Sequence, residues 1–133
     1  MKRILITGVS GFVGSNLVRH FISQRRLLIF GHSRNSKSKT AHIEMISACT
    51  VEILDGLHID TVIHLAGIAH DLSDTYQPED YDRVNFQNTC NVFDVFVKSK
   101  ATKFIFISSI KAAVDTSSVP VTETIAQIGR AHV

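Results

Sequence analysis

The stretch from Thr7 to Val18, TGVSGFVGSNLV, places glycines at positions 8, 11 and 14. Just before it, Ile4–Thr7 (ILIT) is a short, nearly continuous apolar run. Just after it, Leu17, Val18, Phe21 and Ile22 recur at three-to-four spacing, with Arg19, Ser23 and Gln24 polar. The first pattern is that of a strand covered on both faces, the second that of an amphipathic helix. All three glycines therefore fall in a strand-to-helix turn. At such a turn the free N–H groups and the positive end of the helix dipole stabilise a diphosphate, provided no side chain keeps the backbone away from it. Gly8 is expected to permit the tight turn, Gly11 the phosphate contact, and Gly14 the close packing of helix on strand. The spacing alone fits a turn without a ligand equally well, and its position after an N-terminal strand shifts the balance toward a nucleotide. No Gly-Lys-Ser/Thr follows, which excludes a P-loop.

Three more runs resemble the first: LLIF at Leu27–Phe30, TVIHLA at Thr61–Ala66 and FIFIS at Phe104–Ser108. A second helix is expected from about Glu79 to Lys98, with Tyr81, Val84, Val92, Val95 and Phe96 as its buried stripe. Pro78 suits its first turn, and Glu79 and Asp80 favour its positive end. The segment His32–His42 is polar and rich in breakers, so it is expected to be a surface loop. Between it and the third run, HIEMI offers a short strand and CTVEILDGLH a short helix. Strands alternating with helices predict right-handed βαβ units and an α/β fold, a doubly wound parallel sheet of Rossmann type.

The 133 residues, 44% of them hydrophobic, suffice for one core and not for two domains. A formal net charge of +2 and a loose cluster of Arg25, Arg26, Arg34, Lys37 and Lys39 give no footprint for nucleic acid. Cys49 and Cys90 lack both zinc-site spacing and disulfide density, which points to a reducing compartment. His64 and His70 share no helical face and no H-E-x-x-H is present, so no metal site is expected. His64 reads as a strand residue with a structural hydrogen bond. No signal-peptide core and no apolar run of roughly 20 residues occurs, so a cytoplasmic protein without a membrane partner is expected.

TGVSGFVGSNLV resembles the T-G-x-x-G-F-x-G-x-x-L signature of the extended short-chain dehydrogenase/reductases, the NAD-dependent epimerase/dehydratase family that acts on nucleotide sugars. Three further pieces agree in order: VIHLAG (62–67) with the strand-four motif, VNFQNTCNV (84–92) with V-N-V-x-G-T-x-N-V, and FIFISSIKAAVD (104–115) with the strand-five segment. The match covers about 110 residues, with Asn88 standing where the motif has glycine. The resemblance implies cofactor contacts from Gly8, Gly11, Phe12, Val13, Gly14, Leu65, Ala66, Gly67 and Ser108. It implies that Ser109 is the catalytic serine and that Asn85 supports the active-site water and backbone. A Ser-Ser pair at a strand end also serves simply to cap the following segment.

A carboxylate at the end of strand two receives the ribose of NAD, and a basic residue accommodates the phosphate of NADP. Here FGHSRNSK offers Ser33 and Arg34, twenty residues past Gly14, and no Asp or Glu. NADP is therefore favoured slightly over NAD, against the alternative of a solvated loop arginine. The family's Tyr-x-x-x-Lys pair is missing, because Tyr76 and Tyr81 are followed four residues on by Asp80 and Asn85. IGRAHV, Ile128–Val133, reads as the translation of a common sequencing adapter, with Gln127 fitting the preceding codon. Residues 1–126 are thus expected to be a partial NAD(P)-binding domain, truncated before the substrate-binding part, and 127–133 a non-native tail. The resemblance implies an N-terminal fragment, inactive alone, of a nucleotide-sugar epimerase, 4-keto-sugar reductase or dehydratase, with a homodimer through two helices as its family's habit. The competing class is a non-catalytic NAD(P)-binding sensor.

Overall fold

The computed structural model describes residues 1–33, 43–68, 76–108, 120–122 and 124. Its centre is β1 (Lys2–Thr7), flanked by β2 (Leu27–His32) and β4 (Thr61–His64), with β3 (Glu44–Met45) and β5 (Lys103–Phe106) outside them. The order β3-β2-β1-β4-β5 is parallel throughout. The order reverses direction beside β1, and such a reversal opens a crevice at the carboxyl ends of the strands.

Period-two alternation along β1 sends its side chains into two cores. Ile4 and Ile6 join Val9, Val18, Ile29 and Ile63 on one face, covered by Leu17 and Phe21 of α1 (Phe12–Ile22). Leu5 joins Phe30, Leu54, Ile59, Val62 and Val92 on the other. Leu54 comes from α2 (Val51–Gly56), whose N-terminus is capped by Thr50 Oγ1 accepting from the Ile53 N–H at 3.3 Å. Burial on both faces is why β1, β2 and β4 read as nearly unbroken apolar runs; β5 reads the same way but is an edge strand with Ile105 and Phe106 exposed. Leu5 and Ile6 are fully buried, and each such side chain contributes about 1.5–3 kcal/mol.

The strand bounds differ from their sequence reading: β1 begins two residues earlier, β2 runs two residues further so that His32 belongs to the strand and not to the expected loop, and β4 and β5 stop short. β4 stops at His64 instead of Ala66, because Leu65 makes one more bond to Thr7 O (3.2 Å) and the Ala66 N–H then turns to Thr7 Oγ1 (3.4 Å). β5 ends at Phe106 instead of Ser108, since its register partner there is His64, the last residue of β4.

The long helix is also not uniform. It runs as α3 (Pro78–Tyr81), a π-helical stretch (Asp82–Gln87) and α4 (Asn88–Lys98). Pro78 sits in the first turn, and Asp80 Oδ2 accepts from the Gln77 N–H at 3.1 Å. In the widened stretch the Asn88 N–H reaches back five residues to Arg83 O. The expected stripe is present: Val84 and Val92 are buried, and Tyr81, Val95 and Phe96 are half-buried.

A polar chain ties β1, β4 and this helix together. Thr89 Oγ1 donates to Asn85 O at 2.7 Å, which commits its only proton. It therefore accepts from His64 Nε2 at 2.9 Å, so the proton of the neutral ring is on Nε2. Nδ1 is then the acceptor for Thr7 Oγ1 at 2.7 Å, and that oxygen in turn receives the Ala66 N–H. His64 is the structural strand residue its sequence position suggests. Burial, aided by the nearby His32, holds its pKa below the ordinary histidine value of 6.5. Among the described residues no buried side-chain polar atom is left without a partner.

A Cβ on Gly14 would lie 2.4 Å from Gly8 O and 2.8 Å from Val9 Cα, both backbone, so Gly14→Ala is expected to cost roughly 1–3 kcal/mol in urea unfolding. Gly56→Ala, with nothing within 4 Å, is expected to be neutral or slightly stabilising. His64 has a folded-state pKa lower than its unfolded value, so its contribution is complete above about pH 6.5 and is lost as pH falls through the folded-state value. The unfolding midpoint should therefore drop on acidification below pH 6.5, and less steeply in His64→Gln; equal slopes would refute the assignment.

Candidate functional site

The glycine turn is built by the main chain. Gly8 has φ +69°, and its N–H donates to His32 O at 2.9 Å. Any Cβ there would lie 2.7 Å from Ala66 N and 2.8 Å from Leu65 C, so only glycine lets the turn pass against the end of β4. The Gly11 N–H donates to Gly8 O at 3.0 Å, closing the turn, and Gly11 takes extended geometry as the N-cap of α1. That helix opens with no side-chain cap and no acidic residue in its first turn. Its first N–H groups thus have no acceptor within the helix and form the positive end of its dipole, with no acidic side chain in that turn against them.

Around this end lies a cleft of about 510 Å³ with three walls. Thr7, Gly8, Ser10 and Gly11 form the first, joined at the end of β2 by His32 and Ser33. Ser10 Oγ and Ser33 Oγ share a hydrogen bond of 2.7 Å that ties turn to strand. Leu65, Ala66 and Gly67 form the second wall, and Arg83, Val84, Asn88 and Val92 the third. Burial lowers the pKa of His32, which keeps the imidazole at this wall neutral near pH 7. Neither His32 nor Ser33 is a carboxylate.

Of the residues singled out in the sequence, Gly8, Gly11, Ser33, Leu65, Ala66 and Gly67 line the cleft together. Gly14 is buried behind it, against the turn itself more than against the strand. Phe12 and Val13 are exposed in the first turn of α1, so their side chains stand outside the lining and only their N–H groups face the helix start. Asn85 clamps the backbone at Ile68: its Oδ1 accepts from the Ile68 N–H at 2.6 Å and its Nδ2 donates to Ile68 O at 2.9 Å. A Cβ on Gly67 would lie 3.1 Å from that Oδ1, so Asn85 backs the second wall from outside the cleft. Ser108 is exposed just beyond β5 and is not part of the lining. Ser109 and Arg34, the expected catalytic serine and the basis of the NADP preference, lie outside the described residues.

Ser10, His32, Arg83 and Asn88 were not singled out as site residues. Ser10 was legible, since it stands inside the glycine turn. Arg83 and Asn88 were not, because five residues apart on an α-helix they fall on different faces. Among the described residues no group of His, Cys, Asp or Glu is placed to hold a metal. Cys49 and Cys90 are both free thiols, and burial pushes Cys49 up to about 11, away from reactive thiolate character. No described helix is long and apolar enough to cross a membrane.

The profile of the NAD dependent epimerase/dehydratase family matches residues 4–129. A UDP-glucose 4-epimerase of Vibrio cholerae is 34% identical over 116 residues, which are 83% of this chain and 35% of that protein. The capsular polysaccharide biosynthesis protein CapD of Staphylococcus aureus is 25% identical over 146 residues, 96% of this chain and 24% of its own length. In fold, the chain superposes on a UDP-glucose 4-epimerase from Brucella ovis solved in complex with NAD, at a TM-score of 0.83 and 22% identity, covering 98% of this chain and 42% of that one. A UDP-N-acetylglucosamine 4-epimerase from Methanobrevibacter ruminantium M1 gives a TM-score of 0.79 at 23% identity, covering 96% and 44%. The chain thus spans less than half the length of these relatives. The glycine turn, the five-stranded parallel order and the match over residues 4–129 place this chain in the NAD-dependent epimerase/dehydratase family.

Proposed function

We propose that this chain forms the dinucleotide-binding part of an enzyme that moves hydride at a carbon of a nucleotide-activated sugar. The observation that carries the proposal is the contact of Gly8 with the Leu65–Ala66 backbone, which leaves the uncapped start of α1 open to a cleft. A Cβ at Gly8 would collide with that backbone and displace the turn, and the bare N–H groups at α1 suit a diphosphate. When bound, the nicotinamide group supplies a hydride acceptor and donor. Gly8 and Gly11 admit the diphosphate, Leu65–Gly67 line its second side, and Asn85 holds that wall through Ile68. Ser109, next in sequence after Ser108, is the proposed catalytic serine on the strength of its family resemblance.

The substrate class is drawn from the Vibrio relative, named as a UDP-glucose 4-epimerase, and whether the whole protein epimerises, reduces or dehydrates its sugar belongs to the same proposal. The cofactor is NAD or NADP. The absence of a carboxylate at His32 and Ser33 favours tolerance of a 2′-phosphate, whereas the Brucella ovis structure was solved with NAD.

Fluorescence titration of this chain with NADH and with NADPH tests the proposal. Saturable binding of at least one is expected, and none would overturn it; tighter NADH binding would remove the preference for NADP. Gly11→Asp is the sharper probe, because aspartate is a favourable N-cap yet sets a negative charge where the diphosphate is to bind. It should keep the unfolding free energy within about 1 kcal/mol while weakening dinucleotide binding at least tenfold.

A further inference from the structure

The third wall of the cleft holds a cation that the sequence motifs do not single out. Arg83 is the only charged side chain among the described lining residues. In a regular α-helix, 3.6 residues per turn would rotate it about 140° from Asn88. The π-helical stretch removes most of that rotation, because the Asn88 N–H bonds to Arg83 O five residues back and one residue is stacked over the other. Arg83 consequently joins Val84, Asn88 and Val92 on the cleft side, although these three alone make the i, i+4, i+8 row. Its guanidinium is held by Asp80 Oδ1, and the second oxygen of Asp80 is itself fixed by the Gln77 N–H. One ion pair of this kind, largely exposed, contributes little to stability. It does leave a planar cation with donors beyond those used on Asp80 in the lining of the cleft that the glycine turn also lines.

Resting on the dinucleotide reading above, we propose that Arg83 is the side-chain counter-charge to the dinucleotide's diphosphate, acting from the wall opposite the N–H groups of the glycine turn. Main chain supplies the first half of the anion site and the widened helix the second. An arginine suits this task because its fork engages two phosphate oxygens at once.

The test is NADH titration of the full chain and its variants across a range of NaCl concentrations. Arg83→Gln is expected to weaken binding about tenfold at low salt, with the deficit shrinking toward 1 M NaCl, where exposed charges are screened within about 3 Å. Arg83→Lys should recover part of the loss. Asp80→Asn breaks the same ion pair but keeps the cation, so it should weaken binding less than Arg83→Gln does. Unfolding midpoints should be nearly unchanged in all three, because Arg83 is exposed and an asparagine at 80 keeps an oxygen to accept from the Gln77 N–H. If Arg83→Gln binds NADH as the unaltered chain does, or if Asp80→Asn and Arg83→Gln are equally impaired, Arg83 is only a helix-surface partner and the proposal falls. If the unaltered chain itself binds no dinucleotide, the functional proposal falls with it.

Discussion

The approach of two backbones without intervening side chains is the constraint on which this structure depends. Gly8 reaches the main chain at Leu65 and Ala66 at a distance no Cβ tolerates, and Gly14 sits in the same manner against Gly8 and Val9. The parallel register places Thr7 opposite both His32 and His64, so β1, β2 and β4 end at one level. Beyond that level the chain after β1 must turn within the gap that its neighbours leave. Glycine at 8 supplies the positive φ for the turn, and glycine at 14 lets the helix begin directly behind it. The crevice at the strand ends follows from these contacts.

The floor of the site is held by polar groups rather than apolar ones. Thr7, His64 and Thr89 form a hydrogen-bonded line from the central strand to the helix, and each proton in it has one consistent direction. Asn85 extends the same side by gripping both backbone groups of Ile68. A buried network with every member satisfied favours one arrangement over its near alternatives, since a slip of register would strand several donors at once. That rigidity matters for a cleft whose walls come from four separate segments of chain. It also gives the buried histidine at the end of β4 a structural part, between Thr7 and Thr89.

The π-helical stretch has a local consequence of its own. A uniform α-helix from Pro78 to Lys98 would bury the same Val84 and Val92 row and would point Arg83 away from the cleft. Widening the helix between Asp82 and Gln87 changes which polar side chains accompany that row. Asn88, where the resembled motif has glycine, lines the cleft as well and makes no side-chain hydrogen bond among the described residues. The apolar stripe was therefore a sound guide to the buried face and a poor one to the polar neighbours of the site.

By itself the amino-acid sequence determined the elements and their order. Ile4–Thr7, Leu27–Phe30 and most of Thr61–Ala66 are apolar without alternation because central strands covered on both faces have no solvent side to mark; Phe104–Ser108 reads the same way, yet β5 is an edge strand with Ile105 and Phe106 exposed. The glycines at 8, 11 and 14 announced a turn at which backbone must meet something closely, and the short HIEMI and CTVEILDGLH pieces held β3 and α2. Only the tertiary structure decided where β4 and β5 stop, since a strand ends where its partner does. Only it decided the proton order around His64, which depends on Thr7 and Thr89, residues 57 and 25 positions away. It alone brought Arg83 into the cleft, because a change of helical pitch alters the facing of every later residue and leaves no mark in hydrophobic spacing.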